Sequence, residues 1–216
     1  MRFHDRRQAG RLLAEPLRDL QNAGELENPL VLALPRGGVP VGDEIAHALR
    51  APLDVLVARK IGAPFNPELG VGAVAGQGPP LFDPRSLTLL GLTPEELAPR
   101  VERERAELRR REDLYRSGRP TPEVAGRTVV VVDDGLATGV TARAALRAVR
   151  EGGPARLVLA VPVSSPQAAD ALEPEVDRLV CLSRPPDFQG VGQWYEDFTQ
   201  VGDEEVVAVL RTSATA

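Results

Sequence analysis

Short apolar runs alternate along this chain with longer amphipathic stretches, the pattern of strands joined by crossover helices. The first stretch, about Asp5 to Ala23, places Ala9, Leu12, Leu13, Leu17 and Leu20 on one helical face. Leu30 to Leu34 reads as a core strand that ends at Pro35-Arg36-Gly37-Gly38, and a helix of about Val39 to Leu49 follows. A second strand, Leu53 to Ala58, stops at Arg59-Lys60. Two prolines and two glycines between Ile61 and Gly70 predict a loop there, with a short strand resuming over Gly70 to Ala75. Thr93-Pro94-Glu95-Glu96 carries a helix start: an N-cap, a proline at the first helical position and a glutamate to close a capping box. That helix is predicted to run to about Tyr115. Val129 to Val132 are four β-branched residues, too apolar for a strand with one wet face, so they belong mid-sheet with helices on both sides. A helix from about Thr141 to Arg150, a strand over Leu157 to Val161, a helix over Pro166 to Leu172 and a strand over Leu179 to Leu182 complete the series. The expectation is an α/β fold in one domain, with a core over about 28–183, an inserted loop and long helix over 76–118, and a hood over 184–201.

Composition narrows the function classes. At 216 residues the chain can bury a core without staples. Cys181 is the one cysteine, so no internal disulfide forms, and its apolar neighbours make it a buried strand residue rather than a nucleophile. A formal net charge of -5 gives no general attraction for nucleic acid. Arg109-Arg110-Arg111 is surrounded by Glu102, Glu104, Glu107, Glu112 and Asp113, which reads as a solvated helix face. No apolar stretch reaches the roughly 18 residues of a membrane span, and the charged start lacks the apolar run of a signal peptide. A cytoplasmic protein that binds neither membrane nor nucleic acid is expected. Of the 26 Lys and Arg, Lys60 alone is a lysine, a compact charge on a flexible stem where every other cation is a planar fork. A special geometric demand and chance both account for it.

The chemistry concentrates at Val129-Val130-Val131-Val132-Asp133-Asp134-Gly135-Leu136-Ala137-Thr138-Gly139-Val140-Thr141. A loop of small residues ahead of a helix presents unpaired amides and the positive end of the helix dipole, which suits a phosphate. Thr138 and Thr141 add hydroxyls, and Gly139 permits close approach. Directly before it, the adjacent carboxylates of Asp133 and Asp134 repel each other and call for a hydroxyl-rich or cationic partner, such as a ribose diol or Mg2+. A phosphate cradle beside paired acids describes a site for a phosphorylated sugar.

These thirteen residues resemble the signature of the type I phosphoribosyltransferases, which bind 5-phosphoribosyl-1-pyrophosphate (PRPP). The family pattern is four apolar residues, two acids, two usually apolar residues, a small residue, Thr, Gly, any residue and Thr. Gly135 departs from it, standing where a branched apolar residue is usual. The resemblance implies a Rossmann-like, mainly parallel twisted sheet. It implies that Ala137, Thr138, Gly139, Val140 and Thr141 hold the 5-phosphate and that Asp133 and Asp134 take the ribose hydroxyls. Arg36, Gly37 and Gly38 resemble the family's pyrophosphate loop, in which a non-proline cis peptide is frequent, making Pro35–Arg36 the candidate bond. Arg59, Lys60 and the loop after them resemble a mobile arm that closes over PRPP, with Lys60 neutralising pyrophosphate and Arg59 assisting. Mg2+ would bind mainly through PRPP, with Asp133 and Asp134 as candidate protein ligands. The implied reaction is transfer of the phosphoribosyl group to a nucleobase-like acceptor with release of pyrophosphate, as in nucleotide salvage, by a homodimer. Asp133, Asp134 and Lys60 are then the candidate catalytic residues. Ala137 stands where 6-oxopurine enzymes carry an acid, which argues against that subclass. Glu68 is a candidate acid/base or a solvated loop residue. Phe188 and Trp194 either stack on the base or plug the core or a dimer contact.

Two other patterns carry less. An acidic pair after an apolar strand also marks receiver domains, but those need a downstream lysine and none follows Lys60. Gly70-Val71-Gly72-Ala73-Val74-Ala75 matches a dinucleotide fingerprint, yet glycines and prolines follow it instead of a helix. The remaining alternative is a non-catalytic PRPP-binding regulator on the same fold.

Overall fold

The computed structural model describes residues 1–213, except the Glu68 side chain. Its strands are β1 (Pro29–Ala33), β2 (Leu53–Val55), β3 (Ala58–Ala63), β4 (Asn66–Ala75), β5 (Leu81–Phe82), β6 (Thr128–Val132), β7 (Arg156–Val163) and β8 (Arg178–Ser183). Its helices are α1 (Arg6–Asn22), α2 (Gly38–Leu49), α3 (Pro84–Leu90), α4 (Pro94–Arg116), α5 (Val140–Glu151), α6 (Pro166–Leu172) and α7 (Asp203–Ser213). The central sheet runs β2-β1-β6-β7-β8 with every neighbouring pair parallel.

The four valines decide this architecture. Val129 and Val131 face one apolar cluster, with Leu146 and Val149 of α5 and Leu172 of α6. Val130 and Val132 face the other, with Leu13 and Leu17 of α1 and Val41 and Ile45 of α2. All four valines are fully buried, so β6 is covered on both faces, as its composition predicts. The chain steps outward from β1 to β2 and then returns to β6 on the other side of β1. The strand order therefore reverses between β1 and β6, and in open parallel sheets ligands bind in the crevice beyond the carboxyl ends at such a reversal.

Local signals set the helix starts. Asp5 caps α1 by accepting from the Gln8 amide at 2.7 Å. At α4, Thr93 Oγ1 accepts from the Glu96 amide at 3.3 Å while Glu96 Oε2 accepts from the Thr93 amide at 2.9 Å, closing the predicted box.

Three expectations are corrected. The strand expected over Leu53 to Ala58 ends at Val55, and a separate strand begins at Ala58. The stretch expected to be a loop from Ile61 to Gly70 belongs to an antiparallel β3–β4 hairpin turning at Pro64-Phe65, with β5 as a third strand. Its prolines and glycines sit where sheets tolerate them: Pro64 is in the turn, and Gly62 is pressed against Pro67 where the register shifts. Helices α3 and α7 were not foreseen. In α7, Asp203, Glu204 and Glu205 complement the helix dipole and Val206, Val209 and Leu210 are buried.

The start of the chain pairs with the segment over 194–197, ahead of α7. Phe3 bridges Tyr195 in parallel, and the Glu196 and Asp197 amides donate to the Phe3 and His4 carbonyls at 2.9 and 2.8 Å. Phe3, Ala9, Val163 and Tyr195 form a small apolar cluster there. Cys181 is half-buried in β8, where burial pushes its thiol pKa up. Among the described residues, no helix is long and apolar enough to cross a membrane.

Candidate active site

Asp133 and Asp134 follow β6, and the segment from Pro35 to Gly38 follows β1, so the two lie side by side at the strand-order reversal. Both glycines of the second segment are needed for this approach. A Cβ on Gly37 would collide with the Asp134 carboxylate, and one on Gly38 would lie 2.7 Å from the Val132 carbonyl. The Pro35–Arg36 peptide is cis. Asp133 Oδ1 accepts from the Asp134 amide at 2.8 Å. Burial pushes the Asp133 pKa well up, and the neighbouring charge of Asp134 adds to it. Burial raises Asp134 also, against the opposing pull of Arg6.

That arginine, from the first turn of α1, was not anticipated. Arg6 Nε donates to Asp134 Oδ2 at 2.7 Å, Nη1 donates to the Thr199 carbonyl at 2.8 Å, and Cζ stands 3.9 Å from the centre of the Phe198 ring. Tyr195 Oη donates to the Asp134 carbonyl at 2.6 Å. Arg6 thus pairs with Asp134 alone, and the buried Asp133 beside it has no cationic partner within hydrogen-bond distance among the described residues.

The loop after the acids is anchored on its inner half and open on its outer half. Leu136 donates to the Val163 carbonyl and accepts from the Ser165 amide, and Ser165 Oγ donates to the Ala137 carbonyl at 2.7 Å. Ala137 and Thr138 are exposed. Gly139 has φ +72, a left-handed conformation that suits glycine, and it turns the chain into α5. Among the described residues, no amide from Ala137 to Thr141 donates to a backbone oxygen. Those amides, with the Thr138 and Thr141 hydroxyls and the positive end of the α5 dipole, are donors of the kind that suit an anion, a few residues from the acids. Gly135 also has its explanation. A Cβ there would lie 2.6 Å from Val191 Cγ1, so the 184–201 segment fills the space a branched residue would take.

The other expected residues are placed as follows. Arg36 points toward the start of α7, with Nη1 3.8 Å from Asp203 Oδ1. Asp203 also accepts from Tyr115 Oη at 2.6 Å, and burial together with that contact pushes the Tyr115 pKa up to about 12. Arg59 is engaged by α4, donating through Nε and Nη2 to Glu104 Oε2 at 3.0 and 2.9 Å. Lys60 lies exposed on β3, its stem packed over Gly70. The Glu68 side chain is outside the described residues. Phe188 and Trp194 pack against the Phe3–Tyr195 cluster, whereas Phe198, 38% exposed, stacks on the Arg6 guanidinium that holds Asp134. No group of three or more His, Cys, Asp or Glu among the described residues is arranged to hold a metal.

Comparison with known proteins bears on the fold and the family. The model of the phosphoribosyl transferase domain family matches residues 2–198. Two Mycobacterium tuberculosis proteins, from strains H37Rv and CDC 1551 and provisionally named phosphoribosyl transferases, are 43% identical over 96% of this chain. The chain spans 46% of their length. The crystal structure of TT1426 from Thermus thermophilus superposes with a TM-score of 0.82 at 48% identity, covering 97% of this chain and 98% of that one. A hypothetical protein from Neisseria gonorrhoeae shares the fold at a TM-score of 0.53 and 16% identity, with 98% of both chains covered. From the matched model, the sequence identity and the mainly parallel α/β architecture together, the chain belongs to the phosphoribosyl transferase family.

Proposed function

We propose that this chain binds PRPP and transfers its 5-phosphoribosyl group to a nucleobase-like acceptor, releasing pyrophosphate. The observation that carries the reading is the juxtaposition of three features at one reversal of strand order. These are the open amides of Ala137 to Thr141, the paired acids Asp133 and Asp134, and the segment Arg36–Gly38 pressed against Asp134. In this reading the amides and the Thr138 and Thr141 hydroxyls hold the 5-phosphate at the start of α5. Asp133 and Asp134 accept hydrogen bonds from the ribose hydroxyls, which offsets the cost of burying two carboxylates together. Arg36 and the amides of Gly37 and Gly38 hold the pyrophosphate. Lys60, on the β3–β4 hairpin, brings a further charge to it.

Mg2+ fits this donor set as an ion carried by the substrate. Two adjacent carboxylates, one of them paired with Arg6, make no preformed cage, and Mg2+ is ordinarily held by one or two carboxylates together with phosphate oxygens and water. Bound in that way, it supplies neutralisation of the leaving pyrophosphate. The protein's own contribution is positioning and fixed charge: it holds the sugar, grips the leaving group and leaves C1 open to the acceptor.

The test is a pyrophosphate-release assay with PRPP, Mg2+ and a panel of purine, pyrimidine and non-base acceptors. Release is expected with at least one acceptor, and Asp134→Ala is expected to lower it by about 100-fold or more. Absence of any PRPP binding overturns the donor assignment. Tight binding with no turnover on any acceptor overturns the transferase in favour of a PRPP-binding regulator.

A further inference from the structure

The pairing of residues 3–4 with the segment over 194–197 delivers a specific group to Asp134. Phe3 and His4 run beside residues 194–197, and the first turn of α1 begins immediately afterwards. Arg6 is thereby held on three sides: by Asp134 through Nε, by the Thr199 carbonyl through Nη1, and by the face of Phe198. Arg6 and Asp134 are 10% and 14% exposed. A guanidinium stacked on a ring and hydrogen-bonded at two edges has little rotamer freedom left. It passes that rigidity to its partner. Gly37 abuts the same carboxylate, so Asp134 is clamped between Arg6 and the segment that follows β1.

We infer that Arg6 is a positioning residue for the proposed reaction, fixing the Asp134 carboxylate in the orientation that receives the ribose hydroxyls. The inference rests on the assignment of PRPP as donor. Arg6 Nε takes Oδ2 alone, a one-point contact that orients the carboxylate while leaving its second oxygen outside the ion pair. The arrangement also makes ribose binding depend on the segment carrying Phe198 and Thr199, far in sequence from the signature. A residue that served only to hold the fold together would have no reason to favour one ligand over another. One that aims Asp134 affects ligands that carry the ribose and spares those that do not.

The experiment measures affinity for PRPP and for pyrophosphate alone, both with Mg2+, in the intact protein and in Arg6→Gln, Arg6→Lys and Phe198→Leu. Arg6→Gln is expected to weaken PRPP by about tenfold to a hundredfold, the loss expected from one hydrogen bond to a charged group. Pyrophosphate affinity should change by less than about twofold, since the Arg36–Gly38 segment is intact. Arg6→Lys should recover part of the loss. Phe198→Leu keeps both charges and an apolar side chain beside Tyr195, removes the ring face under the guanidinium, and should weaken PRPP by about threefold. Equal loss of both ligands, or unchanged PRPP affinity in Arg6→Gln and Phe198→Leu, overturns the positioning role while leaving the donor assignment in place. An intact protein that binds pyrophosphate but not PRPP overturns the donor assignment itself.

Discussion

At the scale of single residues, the site is shaped as much by missing side chains as by present ones. Gly37 has no Cβ because the Asp134 carboxylate occupies that space, and Gly135 has none because Val191 does. Gly37→Ala therefore tests the geometry directly. Overpacking of this kind costs about 1–3 kcal/mol, which a chain of this size tolerates, but the added methyl must drive the carboxylate out of its clamp. The variant should remain folded by thermal melt and lose PRPP affinity by about tenfold or more; wild-type affinity in a titration would show that Asp134 is not needed where it stands. The thirteen contiguous residues from Val129 to Thr141 were readable because each works through its immediate neighbours. Arg6 was not, since nothing in a helix N-terminus announces a partner 128 positions away.

At the scale of elements, α4 is the most legible piece of the chain. Its capping box, proline and first-turn acids act within four residues, and its start at Pro94 follows from them. The same helix provides a pH test. Glu107 accepts from Arg110 and Arg111, and these contacts hold its pKa down at about 2. A carboxylate depressed on folding contributes stability above its unfolded pKa, near 4.5, and that contribution is lost as the pH falls through about 2. Glu107→Gln should cost only about 0.5 kcal/mol at neutral pH, because solvent screens a partly exposed pair, and the difference in melting temperature should shrink steadily as the pH falls below 4.5. A difference that does not shrink over that range would assign the effect to something other than the ion pairs. The β3–β4 hairpin shows the opposite case. Proline and glycine read as loop signals, yet a turn and a register shift inside a sheet want the same residues, and only the partner strand tells the two uses apart.

At the scale of the whole molecule, the first residues and the 194–197 segment join at the edge of the site. Phe3 is fully buried in the small cluster with Tyr195, and Tyr195 in turn donates to the Asp134 carbonyl. Removing a buried aromatic ring costs about 3–5 kcal/mol. Because this cluster is a satellite of the main core, Phe3→Ala should loosen this pairing before it loosens the sheet. Hydrogen exchange should accelerate at the Glu196 and Asp197 amides more than at those of β6. Uniform acceleration across both would mean that the paired segments and the sheet open as one unit.

The sequence alone determined the alternation of strand and helix, the central place of Val129 to Val132, the placing of the paired acids just ahead of a loop of small residues, and the family resemblance. These follow from periodicity and from contacts within a few residues, where local chemistry decides the conformation. Tertiary structure alone decided that Gly37 lies against Asp134, that Arg59 is engaged by Glu104, that Phe188 and Trp194 pack into a cluster while Phe198 stacks on Arg6, and that Arg6 holds Asp134. Those pairings join segments tens to hundreds of residues apart. They exist only because the sheet order, and the pairing of the first residues with the 194–197 segment, set which distant side chains share a space.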